Sequence, residues 1–184
     1  VSYKRAGALA RWTRTGGELL AYQAEAAERR FSERDTVHSF AYAQELTHTF
    51  FRVETSAKIA DFLTILFPRA LNEPEPLLET LVSRGGQAVE VVTERWRDQV
   101  WIRERLADQI AIDVESGVIV SDARVGFARF AEGRLRALAL HGGSFITLNG
   151  EVLVEADAEI ELSLAIEGRA ASGYVRGSET GYLL

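Results

Sequence analysis

Cysteine and methionine are both missing from the 184 residues, proline occurs three times, and lysine is present only as Lys4 and Lys58. Without cysteine there is no disulfide, no thiolate nucleophile and no Cys-ligated zinc. The three histidines, His38, His48 and His141, leave little for a metal centre. The nearest approach to a zinc-binding helix, Gln44-Glu-Leu-Thr-His48, has the wrong residue at its first position. A site using His38 and His48 would have to borrow Asp35 or Glu54, so no metal and no cofactor are expected. No apolar run approaches the roughly 18 residues of a membrane span, and Val1-Ser-Tyr-Lys-Arg5 lacks the apolar core that follows the basic start of a signal peptide. The formal charge of −6 and pI near 5.2 argue against nucleic acid and anionic membrane surfaces as general partners. A local arginine cluster on an acidic protein still suits an anionic glycan.

What is present is alternation. In Glu159-Ile-Glu-Leu-Ser-Leu-Ala-Ile166, the residues Ile160, Leu162, Leu164 and Ile166 fall on one side and polar or small residues on the other, the pattern of a half-buried strand. Ser144-Phe-Ile-Thr-Leu148 and Glu151-Val-Leu-Val-Glu155 flank Asn149-Gly150, a pair that tolerates the positive φ of a two-residue hairpin. Val125-Gly-Phe-Ala-Arg-Phe130 and Leu135-Arg-Ala-Leu-Ala-Leu140 flank a short loop in which Gly133 supplies a left-handed residue. Strands this close together leave no room for helical crossovers. They predict an all-β, mainly antiparallel β-sandwich built of successive hairpins, with at most one or two short helices.

Earlier in the chain the pattern is less uniform. Residues 9–15 alternate and read as a strand ending at Gly16-Gly17. Residues 19–31 contain good helix formers and a Glu25/Arg29 pair at i, i+4, yet their first half also reads as a strand; both remain open. Residues 36–55 read as two strands broken near Gln44-Glu45. Asp61-Phe-Leu-Thr-Ile-Leu-Phe67 is apolar enough for a central strand buried on both faces, ended by Pro68. All three prolines fall in 68–76, an exposed connection within a single 1–184 domain. Residues 77–84 read as a short helix before Gly85-Gly86, and strands follow at 87–92, 99–103 and 109–113, with Trp96 near a turn.

Three groups of residues offer chemistry. If the two strands of 36–55 pair, His38, Tyr42, His48, Arg52 and Glu54 share a face by parity and supply base, acid and carboxylate-binding groups; the plain alternative is an exposed polar sheet face. Trp96, Trp101 and Arg103 have the composition of a sugar-stacking surface, against which stands burial of one tryptophan in the core and edge coverage by the other. His141-Gly-Gly143 could offer backbone N–H groups to an anion, but phosphate-binding glycine loops lead into a helix and here a strand follows. A turn with a histidine at the strand end is the simpler reading. No serine has a His and Asp partner at a nucleophile elbow.

The order of Phe50-Phe-Arg-Val-Glu54, Asp61-Phe-Leu-Thr-Ile-Leu-Phe-Pro68, Asp122-Ala-Arg-Val-Gly-Phe-Ala-Arg129 and Leu138-Ala-Leu-His-Gly-Gly-Ser-Phe145 resembles the C-terminal β-sandwich region of heparinase II/III-like polysaccharide lyases. The resemblance implies that the chain is part of a larger enzyme. An upstream α/α-toroid would then carry much of the cleft, and the substrate would be an acidic polysaccharide cut by elimination beside its carboxylate. That chemistry needs carboxylate neutralisation, a base and an acid, roles that His38, Tyr42, His48 and Arg52 would fill. The isolated chain is then expected to be inactive. Two other accounts fit the residues: a free-standing β-sandwich that binds a glycan through Trp96, Trp101 and Arg103, and a structural subunit whose edge strands support oligomer assembly.

Overall fold

The computed structural model describes residues 2–26, 28–40, 44–177 and 181–182. The fold is all-β and antiparallel, and no helix occurs among the described residues, so none is long and apolar enough to cross a membrane. The chain divides into two compact units, Val1–Glu73 and Pro74–Leu184, with the division inside the proline-containing connection.

The first unit holds strands β1 (Ser2–Ala6), β2 (Leu9–Arg14), β3 (Gly17–Gln23), β4 (Arg29–Phe40), β5 (Gln44–Thr55) and β6 (Thr64–Ala70). Four of them form a sheet in the order β1-β2-β3-β6, while β4 and β5 pair only with each other. The open question over 19–31 resolves as strand for its first half, with β3 ending at Gln23 and β4 beginning at Arg29. Leu20, Ala21, Tyr22, Gln23 and Ala24 are all buried, and this burial outweighs local helix propensity. The expectation of a central strand at 61–67 is corrected: the strand begins at Thr64, runs through Pro68 and lies at the sheet edge. Its exposure alternates, with Leu66 63% exposed. Proline is compatible with an edge strand because the missing N–H falls on the unpaired side.

Within this sheet Glu18 is only 7% exposed. Its Oε2 accepts from Arg69 Nε at 2.7 Å, and its Oε1 accepts from Thr13 Oγ1 at 2.9 Å with Arg11 Nη1 at 3.5 Å. Burial pushes the carboxyl pKa up, but the Arg69 and Thr13 hydrogen bonds and the two arginine charges outweigh it and leave the value below normal. A depressed folded-state pKa contributes stability above the unfolded value, near 4.5, and that stability is lost as pH falls through the folded value.

The second unit contains β7 (Leu77–Leu81), β8 (Ser83–Arg84), β9 (Gly86–Val92), β10 (Arg97–Arg103), β11 (Ile110–Val114), β12 (Gly117–Ser121), β13 (Val125–Ala131), β14 (Arg134–Leu148), β15 (Glu151–Glu167), β16 (Ala170–Gly177) and β17 (Gly181–Tyr182). These form one 11-stranded sheet that curls almost into a barrel. Closure comes from the segment expected to be helical at 77–84: β7 pairs with β9, and one residue later β8 pairs with β11. Bridging two sheet edges requires extended backbone, and this overrides local helix propensity. The turns expected at Glu132-Gly133 and Asn149-Gly150 both have positive φ at their two central residues.

Strands β14 and β15 are long enough to run through both faces of the sandwich. Along one edge of β14, β13 pairs with its first half and β12 with its second, so the chain from β12 to β13 bends where β14 bends. The bend is fastened by Asp122. Its carboxylate accepts from Ser144 N at 2.8 and 2.9 Å, Ser144 Oγ at 2.6 Å and Phe145 N at 2.9 Å. His141-Gly-Gly143 is therefore a corner inside a strand rather than a turn between strands, and Gly142 has φ +62°. A side chain at Gly143 has no space, because a Cβ there would lie 2.4 Å from Ala123 Cα. Inside the curl, Trp101, Ala88, Ala128, Leu138, Leu140, Ile146, Leu162 and Leu164 form the core.

Gly143→Ala is expected to destabilise the protein by about 1–3 kcal/mol through this overlap, while Gly133→Asn in the open turn stays within about 0.5 kcal/mol; denaturant unfolding midpoints check both. On acid titration, wild-type stability falls below about pH 4.5, and Glu18→Gln, already less stable at neutral pH, shows a shallower fall in that window.

Candidate functional site

The hairpin carrying the proposed acid–base residues forms as expected, with a register that sets Thr36 opposite His48, His38 opposite Leu46 and Ser32 opposite Arg52. Positions 38 and 48 thus lie two residues apart across the ribbon, whereas 48 and 52 are separated by about 13 Å of strand. Tyr42 and the side chains of His38 and His48 lie outside the described residues. Arg52 is exposed and bonds Glu54 Oε1 at 2.6 Å. Among the described residues no three His, Asp or Glu side chains converge on a metal-sized space.

The proposed sugar-stacking trio separates. Trp101 is 0% exposed and lies against Gly126, where a Cβ would stand 2.0 Å from its ring. A tryptophan filling the core cannot present a face to a ligand. Arg103 donates from Nε to the Asp122 carbonyl at 2.7 Å and from Nη1 to the Ala107 carbonyl, so it braces loops around the corner. His141 pairs across the sheet with Glu161 at 3.2 Å. The backbone N–H groups just beyond it, on Ser144 and Phe145, already bind an anion: the chain's own Asp122.

Trp96 remains. The Thr93 hydroxyl accepts from the Arg95 and Trp96 amides at 3.3 and 3.1 Å and shapes the turn that carries the indole. The Arg129 guanidinium lies 4.6 Å from the Trp96 ring centre and is held in place by two 2.7 Å bonds to Asp98. Hydrogen bonding to this carboxylate raises the Arg129 pKa further above its ordinary value. One face of Trp96 is thereby fixed.

Trp96 belongs to a concavity of about 460 Å³ at one end of the curled sheet, where the β9–β10, β11–β12 and β13–β14 turns meet. This volume falls within the range of small-molecule sites, about 300–1,000 Å³. Each turn brings one carboxylate, Glu94, Glu115 and Glu132, and Phe130 adds an apolar wall. At the inner side lies a polar chain that the sequence reading overlooked. Gln99 and Glu90, each 3% exposed, sit opposite each other on the core-facing side of β10 and β9. Gln99 Nε2 donates to Glu90 Oε1 at 2.8 Å, Arg97 Nη1 donates to Glu90 Oε2 at 3.2 Å, and Arg97 Nη2 lies 2.9 Å from Glu115.

Because a carboxylate only accepts, Glu90 fixes the Gln99 amide with its nitrogen toward the carboxylate. The Oε1 atom is then left buried with no partner. In a second concavity in the first unit, about 630 Å³ and lined by Trp12, Leu19, Pro68 and Arg69, the buried carboxylate Glu18 has both oxygens bonded; the unpartnered buried atom of this unit, Tyr3 Oη, belongs to a residue that packs on Trp12 but is not part of the lining. The available sequence signal was polar residues at core parity: Gln99 shares its strand face with Trp101, and Glu90 shares its own with Ala88. No protein-family model and no curated protein matches this chain.

Proposed function

We propose that this chain is a glycan-binding β-sandwich without catalysis of its own, and that it binds through the concavity at Trp96. The observation that carries this reading is the buried, unpartnered Oε1 of Gln99, a residue that lines the hollow bounded by Trp96 and Phe130. An unsatisfied buried acceptor is costly, and a ligand hydroxyl meets its need. Apolar rings with a few fixed polar groups are the composition of a sugar-sized site. Carboxylates on three separate turns add acceptors for further hydroxyls. A test is binding of a broad oligosaccharide panel followed by tryptophan fluorescence and amide NMR shifts. Trp96→Ala is expected to weaken binding at least about tenfold with the fold retained. Trp101→Ala is expected instead to destabilise the core by about 3–5 kcal/mol. Unchanged affinity in Trp96→Ala sinks the reading.

A second reading is support of a heparinase II/III-like elimination, with His38, Tyr42, His48 and Arg52 contributing alongside a toroid domain. It is favoured by the hairpin register, which brings positions 38 and 48 close together. On this account the chain alone releases no unsaturated uronate from acidic polysaccharides, and a toroid-linked form does. Release by the linked form that survives His48→Ala and Arg52→Ala would remove these residues from the mechanism.

A further inference from the structure

The polar groups around the Trp96 concavity are not balanced between donors and acceptors. Arg97, the cation nearest the floor, is already engaged by Glu90 and Glu115. The group left without a partner, Gln99 Oε1, is an acceptor, and the Glu90 carboxylate stands directly behind the same amide. Around the rim, Glu94, Glu115 and Glu132 project from three different turns; Glu115 and Glu132 are largely exposed, and Glu132 also lies 3.5 Å from Arg136. Among the lining residues Arg95 is the remaining cation.

A hydroxyl entering this space donates to Gln99 Oε1 and to rim carboxylates. The carboxylate of a uronate or the sulfate of a sulfated sugar brings only further acceptors and negative charge, so that group cannot pair with the Gln99 oxygen and meets repulsion from the glutamates. Resting on the glycan reading above, we propose that the site selects an uncharged, hydroxyl-rich sugar over an acidic one, with Gln99 taking a sugar hydroxyl and the rim glutamates setting the preference against negative charge. Rim side chains part to admit the sugar, and one hydroxyl reaches the amide oxygen from which bulk water is kept.

The experiment compares the full chain's affinity for neutral cello- and manno-oligosaccharides with that for an oligogalacturonate of equal length. Neutral sugars are expected to bind more tightly. Gln99→Leu should lower neutral-sugar affinity about tenfold, the loss of one buried hydrogen bond. Because Gln99→Leu also strips Glu90 of a donor and could disturb folding, Glu115→Gln and Glu132→Gln serve as exposed controls; both should shift the ratio toward the oligogalacturonate. Tighter or equal binding of the oligogalacturonate overturns the preference and leaves the glycan reading standing. A neutral-to-acidic ratio unmoved by both Glu115→Gln and Glu132→Gln overturns it as well. If neither class binds, the glycan reading itself fails and the preference falls with it.

Discussion

The carboxylate of Asp122 binds two backbone amides and a hydroxyl on β14, and it does so where β14 and the β12–β13 connection change direction together. A strand cannot continue from one face of a sandwich to the other without a bend, and a bend leaves amide groups with no ladder partner. Asp122 supplies that partner from within the chain. Ser121 reinforces the same point, donating from Oγ to the Phe145 carbonyl at 2.8 Å and accepting from Ala123 N at 3.0 Å. With the corner fixed, β12 and β13 turn to different neighbours, β11 and β10, and the three turns that shape the Trp96 hollow come to one end.

The hollow depends on a different balance. Glu90 and Gln99 occupy positions that the strand alternation assigns to the core, and each would be costly there alone. Their mutual hydrogen bond and the Arg97 contact offset most of that cost, but the Gln99 oxygen stays unpaired. Trp101 Nε1, two residues along the same strand, is likewise buried without a partner. Two of the three such atoms among the described residues thus lie on β10 next to the hollow, and the third, Tyr3 Oη, lies on β1 in the first unit. The Glu18 cluster in the first unit differs, since its buried charge is matched on both oxygens.

Where strand order was set by local pattern, the sequence was readable. Alternation through Ile160, Leu162 and Leu164 and the left-handed turns at Glu132-Gly133 and Asn149-Gly150 carry their own physical signals. Residues 77–84 misled because their role is to join β9 to β11, a demand made by distant strands. The apolar run 61–67 misled because hydrophobicity does not distinguish a central strand from an edge, although Pro68 held that information. For the candidate site, Trp96 stood out by composition, but Gln99 and Glu90 become meaningful only once the register places them opposite each other. Trp101 and Arg103 looked like neighbours of Trp96 in sequence, and strand parity sends Trp101 to the interior.

Pro68 has one more effect. A sheet can recruit further strands only through an edge that offers an unbroken row of donors and acceptors, and in β6 that row is interrupted by a ring with no hydrogen to give. The four-stranded sheet of the first unit is therefore closed to growth on that side by covalent structure, with no charged side chain or covering loop required.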